Sequence, residues 1–309
     1  MSPALPAARP IDPGLPLGEE LRRVLRDELR LVIDACVTYP SWQLRERGVA
    51  VRRGQESLKR MGSVLELVRG GLDEKVHEVI RAEARNLEGR LDPLRNRDVV
   101  RALMLRLKEE ASGKRQREEI RLANVILGAS QPELVVRDHR AEESLVSVIG
   151  EDAEVLLDRI ERVDVSDLDR ALVLDRFQGL WRRARNRFQV AFDAPDTDWL
   201  HETRSRVVRL QLGIQPLVTI RPGPLQKSVK NLKRVADPLG EDHDLAMLGG
   251  LIATHVTGPG DDRTISMIGN EVGRRRKRLQ KKASRRGTMA LRGRPRDARN
   301  RLEHWWERT

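Results

Sequence analysis

The sequence predicts an all-α protein, and three observations predict it. Apolar residues recur every three or four positions through most of the chain, in segments closed by Pro, Gly or Asp signals. No stretch alternates apolar and polar residues as a half-buried strand does. Aromatics are only 3% of the residues, so a core must be built from Leu, Val, Ile and Ala, which suits packed helices better than sheets.

Met1 to Gly18 is proline-rich and has no apolar run long enough for a signal peptide, so residues 1–17 read as a disordered, mobile leader. From Glu19 to Tyr39 a stripe of Leu21, Leu25, Leu29, Val32 and Ile33 predicts a helix that Pro40 interrupts. Ser41 caps a second, running through Trp42, Val49, Val51 and Leu58 toward Val68, and Gly70 with Gly71 close it. Leu72 to Leu91 makes a third, and an Asp92-Pro-Leu turn leads into a helix from Arg95 to about Ala111. Lys114 to Gly128 follows. Gln131-Pro132 marks the boundary between two halves, 18–130 and 131–309.

The second half continues with helices over Ala141–Val163, Asp167–Phe192, Asp198–Val218, Pro224–Ala236, Asp244–Thr254 and Thr264–Ala290. Arg292-Gly-Arg-Pro-Arg interrupts, and Ala298 to Trp306 resumes an amphipathic turn or two that Trp305 and Trp306 anchor. No segment approaches a membrane span. The single Cys36 lies in a leucine-rich helix and reads as core, and the lack of paired cysteines fits a reducing cytoplasm.

A formal charge of +12 makes a polyanionic partner the default expectation. From Pro259 onward 16 Lys or Arg face 6 Asp or Glu, so most of the surplus is C-terminal. The rest is near neutral but segregated: Leu200 to Val235 holds eight cations and a single acid, Glu202, whereas Gly150 to Asp169 is acidic. Arginine supplies 49 of the 59 cations, and its planar fork pairs with phosphate oxygens; base composition of the coding sequence explains the bias equally well.

Residues 199 to 212 carry the densest signal. At about 100° per residue, His201, Arg204 and Arg209 fall within one half of a helix, while Leu200, Val207, Val208 and Leu212 turn toward a core. The segment is followed by Asp237-Pro-Leu-Gly-Glu-Asp-His-Asp-Leu245. A weaker copy precedes it: Arg52 aligns with His201, Gln55 with Arg204 and Arg60 with Arg209, ahead of Leu91-Asp-Pro-Leu-Arg-Asn-Arg-Asp-Val99. Each half closes on an Asp-Pro-Leu turn, an internal repeat with a period near half the chain.

With those residues the chain resembles the CHAD domain, the conserved histidine α-helical domain, from about residue 18 onward. The resemblance implies two similar antiparallel helical bundles around a basic groove, and non-catalytic binding of inorganic polyphosphate, often at polyphosphate granules. It implies no cofactor. The first repeat departs from the family, with Arg52 in the histidine position and Gln55 in an arginine position.

The motif-matched candidates for polyphosphate contact are His201, Arg204, Arg209, Lys59 and Arg60; charge and spacing add Arg206, Lys227, Lys230, Arg234, Arg52 and Arg53. Arg274, Arg278, Lys281 and Arg285 form a ridge roughly 16 Å long, suited to a linear polyanion or to nonspecific nucleic-acid contact. Glu241-Asp242-His243-Asp244 resembles a metal-ligand cluster, but neighbouring residues cannot all point at one ion, and a turn with Asp242 or Asp244 capping the next helix is the preferred reading. A metal phosphohydrolase using His243 and Asp244 is the third functional reading. No P-loop or dinucleotide fingerprint is present.

Overall fold

The computed structural model describes residues 8–40, 44–111, 113–131, 138–193, 196–255 and 262–309. These hold ten α-helices and no strand: α1 Leu17–Thr38, α2 Leu44–Val68, α3 Glu74–Glu109, α4 Lys114–Ser130, α5 His139–Glu161, α6 Arg170–Asp193, α7 Thr197–Ile214, α8 Pro222–His255, α9 Asp262–Ala290 and α10 Pro295–Trp306, with a 3-10 turn at Gln215–Leu217 after α7. Helices α3 and α5 each open on an aspartate cap. Asp73 accepts from the Lys75 and Val76 amides to open α3, and Asp138 accepts from Arg140 and Ala141 to open α5. Gly70, at φ 83°, ends the α2 segment in the left-handed region that favours glycine.

Two expected turns are absent. Asp92-Pro-Leu and Asp237-Pro-Leu both lie inside continuous helices, α3 with Pro93 and α8 with Pro238. The reason is burial on both sides of each proline. Ile80, Ala84, Leu87, Leu91 and Leu94 of α3 enter one core, and Val100, Leu103, Met104 and Leu107 enter a second. In α8, Leu232, Val235 and Leu239 belong to the first core, Leu245, Leu248 and Ile252 to the second. Each helix therefore changes core just after its Asp-Pro-Leu, and packing at both ends outweighs the missing proline N–H. In α8 the carbonyl that Pro238 cannot serve, that of Arg234, accepts instead from Arg286 Nη1 of α9 at 3.1 Å.

The larger core gathers α1, α2, the first part of α3, α5, α6, α7, the first part of α8, and Ala283, Leu291, Leu302 and Trp306. The smaller joins the later parts of α3 and α8 to α4 and the start of α9. Both cores draw on both halves of the chain. Cys36 is buried, and burial pushes its thiol up to about 11.

The leader departs from expectation in its described part. Ile11 is 1% exposed, its amide donates to the Pro216 carbonyl, and Thr219 Oγ1 donates back to the Ile11 carbonyl. A buried isoleucine tied at both backbone groups holds residues 8–16 against the larger core. Leu17 already belongs to α1. Ser41, Trp42 and Pro132 lie outside the described residues.

Helix α9 is fastened to the body by close approach and by charge. Ala283 is fully buried, and a side chain at Gly287 would stand 2.0 Å from the Phe188 ring of α6. Asp242 of α8, 2% exposed, accepts from Arg276 Nε at 3.1 Å and Gln280 Nε2 at 2.9 Å. Removing that carboxylate takes away three charge-assisted hydrogen bonds, two of them from the Arg276 guanidinium. Asp242→Ala is expected to cost about 2 kcal/mol of stability, read as a lowered midpoint in urea with unchanged helical signal.

Candidate functional site

The densest charge cluster forms where α2, α3, α7 and α8 meet. His201 and Arg204 stand one turn apart on α7, as the i, i+3 spacing requires. Lys59 of α2, Arg95 of α3 and His243 of α8 face the same point. The guanidinium of Arg204 lies over Gly240 of α8, with Nε 3.4 Å from where a side chain there would begin. Burial pushes the Arg204 guanidinium and the Lys59 ammonium down from their ordinary values, and in each case neighbouring Arg95 adds to the effect.

Carboxylates are set among these cations. Lys59 Nζ is 3.7 Å from Glu88, Arg95 Nη2 bonds Asp244 at 2.9 Å, and Gln55 Nε2 donates to Asp92 at 2.8 Å. The surface continues two turns along α7 and back along α3. Arg209 of α7 is half-buried, and burial lowers it while Arg206, Arg81 and Arg85 repel it and Glu66 attracts it. Glu66 of α2 gathers Arg183 of α6 at 3.0 Å and Arg81 of α3 at 3.4 Å. From Arg81 to Arg95 along α3 the cationic track is about 21 Å long.

His201 and His243 form the pair at one end. Their Nδ1 atoms are 3.1 Å apart and their rings 4.4 Å apart. Both imidazoles are pushed down by burial and by the Arg204 charge, His243 to about 4 with His201 as a further cause. At neutral pH both are uncharged, so one Nδ1–H donates to the other Nδ1 lone pair. The pair offers a polar, polarisable contact rather than two positive charges.

The sequence-expected candidates divide by position. Lys59, His201, Arg204 and Arg209 stand on the track. Arg206 sits beside it, with Nη2 3.3 Å from Glu202. Arg52 is exposed on α2, seven residues before Lys59 and on the same face, and Arg53 is partly buried. Arg60 is in the core, 5% exposed, its Nε 2.7 Å from Glu28 and its Nη2 on Ser57 Oγ, because the α2 face it occupies is covered by α1. Lys227, Lys230 and Arg234 are exposed on the first part of α8, Lys230 about 15 Å before Gly240 along the axis. Among the described residues none of the three has an ion pair with the cluster.

On α9 the cations split by face. Arg275 pairs with Glu110 and Glu271, Arg276 with Asp242, and Arg274 with Glu271. Lys277, Arg278, Lys281, Lys282 and Arg285 are exposed and make no ion pair among the described residues. At 100° per residue this second group lies on the side away from Arg276 and Ala283, hence away from the body.

Neither Asp242 nor Asp244 caps a helix. Residues 241–245 lie mid-helix in α8, where one acid ties α9 and the other ties α3. Among the described residues no set of three metal-type ligands gathers at His243. Sequence reading missed Arg81, Arg85, Arg95 and Arg183. The first three were findable, since Arg81, Arg85, Glu88, Asp92 and Arg95 recur at i, i+4, i+7, i+11 and i+14, the spacing that marks one helix face.

The CHAD domain profile matches residues 29–253. Among solved structures, PptA from Streptomyces chartreusis aligns with a TM-score of 0.59 at 17% identity, covering 90% of this chain and 100% of that chain. The crystal structure of the CHAD domain from the plant Ricinus communis gives 0.54 at 16% identity, over 97% of this chain and 95% of that one. At these identities the likeness is one of fold. No curated protein matches the sequence.

The histidine pair has a measurable pH signature. With the His243 value in the folded state near 4 and its ordinary value 6.5, the unfolded chain binds more protons between those limits. The His243 contribution to stability is therefore complete above pH 6.5 and is lost as pH falls toward 4. Melting temperatures at pH 7.5 and pH 5 are expected to differ less in His243→Gln than in the parent.

Proposed function

Because the chain belongs to the CHAD domain family, we propose that it binds inorganic polyphosphate without catalysis. The observation that carries this reading is the continuous track of Lys59, Arg95, Arg204, Arg209, Arg81 and Arg183, bordered by His201 and His243, with every member inside the matched residues. Partly buried like charges repel one another, and a flexible chain with roughly one charge per phosphate relieves that repulsion while releasing its counterions. No stacking aromatic is needed, and Trp199, the exposed aromatic beside the cluster, already has the Arg187 guanidinium stacked on its ring, 3.8 Å from the centroid. The two halves, each with an Asp-Pro-Leu inside its longest helix, are read as degenerate repeats. The family association supports residence at polyphosphate granules in the cytoplasm as part of this reading. No described helix is long and apolar enough to cross a membrane.

A second reading rests on α9. Its five unpaired outward cations lie outside the family-matched residues and face away from the track, so they suit duplex nucleic acid, whose major groove admits a helix. Polyphosphate and duplex DNA would then occupy different surfaces.

Titration of polyphosphate at several salt concentrations tests both readings. Arg204→Ala with Arg209→Ala is expected to weaken polyphosphate binding by about tenfold or more and to flatten its salt dependence. Unaltered affinity in that variant would remove the track from the reading. Arg60→Met, with its partner Glu28 left in the core, is expected to lower the melting temperature while changing affinity less than about twofold. Arg278→Ala, Lys281→Ala and Arg285→Ala together are expected to reduce duplex DNA binding and spare polyphosphate. Displacement of polyphosphate by DNA in the parent protein would merge the two surfaces.

A further inference from the structure

The first turn of α3 carries a second cluster, unrelated to the cationic track. Glu74, His77 and Glu78 stand at i, i+3 and i+4, so their side chains share one face, and one potential ligand atom from each lies within 4.8 Å of the others. Spacing alone would make this a common helix start. The histidine makes it different.

His77 is 1% exposed. Its Nε2 is 3.0 Å from the Leu65 carbonyl oxygen of α2, which accepts only, so Nε2 carries the proton and Nδ1 carries the lone pair. That Nδ1 is buried and has no hydrogen-bond partner. The nearest carboxylate oxygen, on Glu78, is 3.7 Å away, too far for a hydrogen bond and also an acceptor. A lone pair held toward two carboxylates, on a ring whose other nitrogen is fixed by a backbone carbonyl, is the arrangement that orients a histidine on a metal ion.

We propose that Glu74, His77 and Glu78 bind a divalent transition-metal ion of the zinc or cobalt class. One imidazole nitrogen and two carboxylate oxygens suit such an ion better than calcium or magnesium, which favour all-oxygen shells. The remaining coordination positions face solvent and take water. The start of α3 contributes about half a positive charge, which two carboxylates outweigh. Arg69 holds the place of the cation, with Nη2 3.2 Å from Glu74 and 3.9 Å from Glu78, and Arg81 Nη1 is 3.2 Å from Glu78. An ion entering here displaces Arg69 from both acids.

Calorimetric titration of the full, metal-stripped chain with Zn²⁺, and visible absorption with Co²⁺, tests the site without any polyphosphate. One saturable site per chain is expected. Glu74→Gln with Glu78→Gln, both at the surface, is expected to weaken binding by about tenfold or more. His77→Gln should do the same in protein whose helical signal is intact, and His201→Ala with His243→Ala should leave the affinity unchanged. Absence of saturable binding, retention of binding in the Glu74→Gln, Glu78→Gln variant, or its loss in the His201→Ala, His243→Ala variant overturns the proposal. None of these outcomes bears on polyphosphate binding.

Discussion

The ion pair between Arg95 of α3 and Asp244 of α8, at 2.9 Å, sits where the two longest helices pass each other on their way between cores. Each core is incomplete without both helices, so their relative position sets everything packed on them. α8 carries Gly240 and His243 to the crossing, and α3 carries Glu88 and Asp92. Arg204 finds its place over Gly240 only because α8 runs straight through Pro238. A bend there would carry His243 away from His201 and dissolve the cluster.

Electrostatics at the crossing is a compromise between attraction and repulsion. Lys59 and Arg204 are held beside Arg95 in a partly buried setting, where desolvation and the neighbouring cations oppose the charge of Lys59 and Arg204. Glu88 and Asp244 offset part of that cost and fix the side chains in direction. Glu66 does the same among Arg81, Arg183 and Arg209. Cations held this way are already ordered, so an anion bound under the proposed function would cost less side-chain entropy than one bound by free surface lysines. The two histidines, kept neutral by the same field, add hydrogen-bonding capacity without further repulsion.

Much of this was legible in the sequence. Helical periodicity placed the segments, and the motif from His201 to Arg209 marked the α7 part of the cationic cluster. The errors have specific causes. Proline in Asp92-Pro-Leu and Asp237-Pro-Leu was read as a stop signal, because local propensity registers a missing N–H and cannot register two cores gripping the helix on either side. Arg60, aligned with Arg209 by the repeat, lies under α1 and pairs with Glu28, a placement that alignment of the two halves does not specify. Asp242 and Asp244 looked like caps because the break before them was expected and does not exist.

The amino-acid order by itself determined the helical class, the face of α7 that carries His201, Arg204 and Arg209, and the concentration of charge at the C-terminal end, because each depends on residues within a few turns of one another. Which cations share a site was decided only in three dimensions. Lys59, Arg95, Arg204 and His243 are distant in sequence and meet because four helices converge. Arg60, one residue from Lys59, is turned about 100° around the same helix into the core. Angular position on a helix is local, but what covers each face belongs to the packing of the whole chain.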